Sequence, residues 1–88
     1  MEYVTIRPWR PSPFVAGHRY RVRHDFKALN DGFVAGEELT FIRDAYNRYD
    51  CYTVYLFSQP GTEQERSWDI SDDEDLKVWR DIFKEICE

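Results

Sequence analysis

A small, mainly β domain with one amphipathic C-terminal helix is the fold this sequence predicts, and three observations predict it. Residues 18–70 hold short runs of alternating or continuously apolar, β-branched and aromatic character, punctuated by Gly, Pro, Asn and Asp. Six Phe, six Tyr and three Trp in 88 residues supply ring area enough for a short chain to close a core without disulfide staples. From Ser71 onward the apolar spacing changes from two to about 3.6 residues, the helical period.

The expected organisation is a single domain: an N-terminal strand and proline-rich connector over 1–17, a β unit over 18–70 and a helix over 71–88. Tyr3 and Thr5 alternate with Glu2, Val4 and Ile6, which reads as a short strand. Pro8, Pro11 and Pro13 then exclude helix and any central strand, because proline lacks the N–H that a ladder needs. Trp9 is the large ring of that connector. Along the next run Tyr20, Val22 and Phe26 share one face with His24, and Arg19, Arg21 and Arg23 share the other. Asn30-Asp31-Gly32 is a turn signal.

Residues 38–43 predict a second strand with Leu39 and Phe41 inward, and 44–50 a polar, tyrosine-bearing connection. Residues 51–57 predict a central strand covered on both sides, since Val54 and Leu56 lie on one face and Tyr55 and Phe57 on the other. Gln59-Pro60-Gly61 breaks the chain, and 66–70 read as a last strand carrying Trp68 and Ile70. In the tail, Ser71 and Glu74 have capping-box spacing. Leu76, Trp79, Phe83 and Ile86, with Ile82 beside them, form a stripe expected to dock on the second face of the 51–57 strand.

The composition excludes several classes. No run is long and apolar enough to span a membrane, and early charges and prolines stand where a secretory signal needs an apolar stretch, so a cytoplasmic protein is expected. Net charge is −5, with the first 30 residues basic and the last 28 strongly acidic. That balance argues against bulk attraction to nucleic acid or anionic lipid. Cys51 and Cys87 make neither a disulfide framework nor a Cys-x-x-Cys metal site. His18 and His24 stand too far apart on a strand to share a metal. Asp69, Ser71, Asp73 and Asp75 alternate like a calcium loop but lack its central glycine. No nucleophile elbow, phosphate-cradling glycine loop or zinc helix occurs, so no catalytic residue, metal or cofactor is expected.

Ala28-Leu29-Asn30-Asp31, followed by Glu38-Leu39-Thr40-Phe41, resembles the opening of SH3 domains, with residues 52–56 and Trp68-Asp69-Ile70 standing for later strands. The resemblance covers about residues 20–71 and implies a small barrel of about five strands. It does not carry the family's proline-rich recognition. Asn30 stands where the first groove tyrosine belongs, the paired tryptophans are missing, and no proline follows Ile70. The pattern Gly17-x-x-Tyr20-x-Val22, Asp31-Gly32, Gly36-Glu37-x-Leu39-x-Phe41 is also similar to a family of short uncharacterised bacterial proteins, which implies a fold and a bacterial source.

Two functional expectations follow. The first is a non-catalytic protein-interaction or inhibitory module that contacts a partner protein, basic in charge, through Tyr46, Tyr49, Tyr52, Asn30 and Phe33. The alternative is a nucleic-acid-binding small barrel using the face of Arg19, Arg21 and Arg23, unless residues 72–75 neutralise those cations. Pro8-Trp9-Arg10-Pro11 reads either as a stiff connector or as a ligand for another domain. The protein is expected to act as a monomer or as a homodimer joined through the tail helix.

Overall fold

The computed structural model describes residues 11–28, 31–47, 49–62 and 64–86. The strand expected over 1–6, the connector's Trp9, and Asn30 and Cys87 lie outside them. Period-two patterning dominates the described chain: β1 (Arg19–Val22), β2 (Phe26–Lys27), β3 (Gly32–Phe33), β4 (Glu38–Asn47), β5 (Tyr52–Ser58) and β6 (Glu65–Ser71). A 3-10 turn (Leu76–Val78), one α-turn, α1 (Trp79–Ile82), and β7 (Phe83–Ile86) complete it.

Five strands form one antiparallel sheet in the order β6-β5-β4-β1-β7, and β2 and β3 form a separate hairpin. Among the described residues the end strands β6 and β7 are not paired with each other, so this sheet is open. β4 holds the two halves together: its first residues, Glu38 to Thr40, pair with β1, and from Thr40 onward it pairs with β5 through a register shift between Phe41 and Arg43. A bulge at that point bends the strand and raises its twist. Asp44 and Asn47 have little intrinsic preference for strand, yet both belong to β4. Pairing with the strongly β-forming β5 overrides local propensity, which corrects the connection expected over 44–50.

The main core lies on the Tyr55 and Phe57 face of the sheet. Phe14, 4 % exposed, sets its ring 5.0 to 6.0 Å from those of Tyr20, Phe41, Tyr55, Phe57, Trp68, Trp79 and Phe83. Most of these contacts are edge-to-face, the geometry that aromatic quadrupoles favour. Val54, Leu56 and Tyr52 form a second buried cluster on the opposite face of β5. The 51–57 strand is thus covered on both faces, as its two apolar stripes predict.

The C-terminal helix is much shorter than expected. Ser71 and Glu74 do exchange local bonds, Glu74 Oε1 accepting from Ser71 N–H at 3.3 Å, but Asp75 caps the turn that forms, accepting from Lys77 N–H at 2.9 Å. After Ile82 the chain turns extended and pairs with β1 through Val22↔Phe83 and Arg21↔Lys84. A few helical turns are marginal on their own, whereas a fifth strand satisfies the open backbone edge of β1. Leu76, Trp79 and Ile82 still pack on the main cluster, and Phe83 stacks on Phe57 at 5.2 Å. The stripe therefore docks on the chain's own core, on the Tyr55 and Phe57 face.

One buried cation fastens the β2–β3 hairpin to the sheet. Arg66 of β6 donates to Asp31 Oδ2 (2.9 Å), Glu37 Oε2 (2.6 Å), Gln59 Oε1 (3.2 Å) and the Gly32 carbonyl. Its guanidinium also lies 4.8 Å from the centroid of Phe33, which stacks on Phe26. Gly36, at φ 92°, closes the return from the hairpin in a conformation that favours glycine.

Replacing Phe14 by Ala is expected to cost about 3–5 kcal/mol, read as a lowered urea midpoint. A loss under about 1 kcal/mol would show that the surrounding rings collapse without it. A second expectation concerns pH. The Arg66 guanidinium holds the Glu37 carboxyl below its ordinary 4.5. Stability from a depressed carboxylate is present above its unfolded value and is lost as pH falls through the folded one. Glu37→Gln should therefore flatten the acid limb of the stability–pH profile below about pH 4.5. An acid limb of unchanged slope in that variant would assign the effect elsewhere.

Candidate interaction site at the β4–β5 turn

The four residues joining β4 to β5 include Tyr49, Asp50 and Cys51, and Asn47 organises them. Its Oδ1 accepts the N–H groups of Tyr49 (3.0 Å) and Asp50 (3.1 Å). Its Nδ2 donates to Asp50 Oδ2 (3.3 Å) and lies 3.4 Å from the Tyr52 hydroxyl. This is the reach of a short amide side chain over its own backbone, and it explains a buried Asn at a strand end. Cys51 then adopts φ 55°, a left-handed turn-closing conformation.

The turn is stapled to a second one. Asp72 N–H donates to the Cys51 carbonyl at 3.0 Å, and the Tyr46 hydroxyl donates to Asp72 Oδ2 at 2.6 Å. The run of acids over residues 72–75 is thereby brought beside Tyr46 and Cys51, the last three of the four well exposed. That hydrogen bond, reinforced by desolvation and by the neighbouring Cys51, pushes the Tyr46 phenol from 10.0 up to about 12.

The sequence-predicted contact residues separate into three fates. Tyr49 is 73 % exposed in the turn, and Tyr46 stands half-buried in β4. Tyr52 (7 % exposed) and Phe33 (2 %) are core residues, so burial removes both from any surface a partner touches. Phe33 faces inward because β3 pairs with β2 and lays its ring on Phe26 under Arg66. Asn30 lies outside the described residues.

The arginine face is also subdivided. Glu38 accepts from Arg19 at 2.6 Å and from Arg21 at 3.3 Å, while Arg23 donates to the Arg80 carbonyl at 2.8 Å, at the end of the short helix. The counter-charge is Glu38, the cross-strand partner of Arg21, rather than residues 72–75. Proximity in the sheet decides this, not the size of the acid cluster. His18 bonds Glu85 at 2.8 Å and His24 stands apart from it, near Asp25. Among the described residues no group of three or more His, Cys, Asp or Glu is arranged to hold a metal ion. Among the described residues no helix is long and apolar enough to cross a membrane. Sequence reasoning missed Asp72 as a partner of Tyr46, because the acids after Ser71 were fully accounted for by helix capping.

The raised Tyr46 value gives a measurable signature. A neutral phenol whose pKa rises on folding contributes stability below its unfolded value of 10, and that contribution is lost as pH rises through about 12. Asp72→Asn should return Tyr46 toward ordinary titration, read from phenolate absorbance as the difference from Tyr46→Phe. A late-titrating Tyr46 that persists in Asp72→Asn would break the assignment.

Comparison with known proteins places the fold. No family model matches the chain, and no curated protein does. Among solved structures it is similar to an integron cassette protein from the mobile metagenome of Vibrio cholerae. The TM-score is 0.66, at 19 % identity, over 84 % of this chain and 87 % of that one.

Proposed function

We propose that this chain is a monomeric, non-catalytic protein-interaction module that offers its acidic, tyrosine-tipped end to a basic partner. The observation that carries the reading is Tyr49: a large amphipathic ring, 73 % exposed, on a turn whose backbone Asn47 has already fixed. Ordering a loop on binding costs affinity, so a turn held rigid beforehand retains more of its contact energy. Tyr is a frequent interface anchor, and the carboxylates of Asp50, its chain neighbour, and of Asp72 and Asp73 in the turn stapled to Cys51 suit a cationic surface. Arg48, outside the described residues, is the one cation of the turn itself.

We further propose that the open sheet is a half-rolled, SH3-like barrel. Three features support this reading: β4 shared between two halves, the bulge at its bend, and a last strand that returns to β1 after a 3-10 turn. A bacterial source fits the likeness to an integron cassette protein of Vibrio cholerae. Nucleic acid is the weaker reading, because Arg19 and Arg21 share one carboxylate and Arg23 serves the helix end.

The test is capture of host proteins by wild type and by Tyr49→Ala. A basic protein retained by wild type should bind the variant at least about 2 kcal/mol more weakly, with an unchanged thermal midpoint. Retention of the same protein at equal affinity would remove the turn as the contact surface.

A further inference from the structure

We draw no further inference here: the strongest candidate, the open groove between β1 and β7 lined by Arg21, Lys84, Glu85 and Ile86, carries a carboxylate of its own beside its cations, and nothing in the structure shows what would occupy it.

Discussion

Everything in this fold is arranged around the ring of Phe14. The five-stranded sheet has only the two-stranded β2–β3 hairpin as a second sheet among the described residues, so much of its inner face is filled by single side chains from other segments. Phe14 does so from the segment preceding β1, touching rings contributed by β1, β4, β5, β6, α1 and β7. Those elements are distant in sequence, and one side chain sets how far each stands from the others. A core this small has little redundancy, because a short domain buries a lower fraction of its surface than a long one. The short helix makes sense in the same terms: α1 is long enough to place Trp79 and Ile82 over the plug, after which β7 gains more by pairing with β1.

Arg66 complements this apolar centre with a directional lock. Its donors run to Asp31, Gly32 and Glu37, the residues that begin and end the return from the β2–β3 hairpin, and to Gln59 at the far end of β5. Desolvating a guanidinium is costly, and a hydrophobic residue of equal volume would match or exceed its net stability. What an apolar residue could not do is specify which backbone segment sits over β6. The hairpin has two-residue strands and weak pairing of its own, so fixing its position is the role that a buried, multiply bonded cation performs well.

The strands were the most legible part of the sequence, because alternation in β1 and two apolar faces in β5 are direct consequences of the pleat. The tail was not. Leu76, Trp79, Phe83 and Ile86 fit a helical stripe, while Phe83 to Ile86 carries no period-two pattern that would mark a strand. The arbiter is the unpaired edge of β1, a tertiary fact invisible in the local window. Phe14 escaped notice for a related reason: a lone ring after a proline-rich run has no period to mark it. At the candidate site, Tyr49 was legible as an aromatic in a polar turn, and Tyr46 as its neighbour. Tyr52 and Phe33 were not, since their burial depends on the second cluster and on the hairpin folding back beneath Arg66.

The two charged regions do not cancel one another, and the reason is geometric. β4 begins beside Arg21 at Glu38 and ends at Asn47, under the tyrosine-tipped turn. Ten residues of strand span about 30 Å, comparable to the 34 Å long axis of the molecule even with the bulge bending it. At physiological ionic strength, screening acts over about 8 Å, so exposed charges at the two ends interact weakly. Within each region the local contacts govern: Glu38 pairs with Arg19 and Arg21, and Asp72 accepts from the Tyr46 hydroxyl. A net charge of −5 therefore describes solubility and long-range steering, while the contacts at either end follow from the few residues that the sheet register places there.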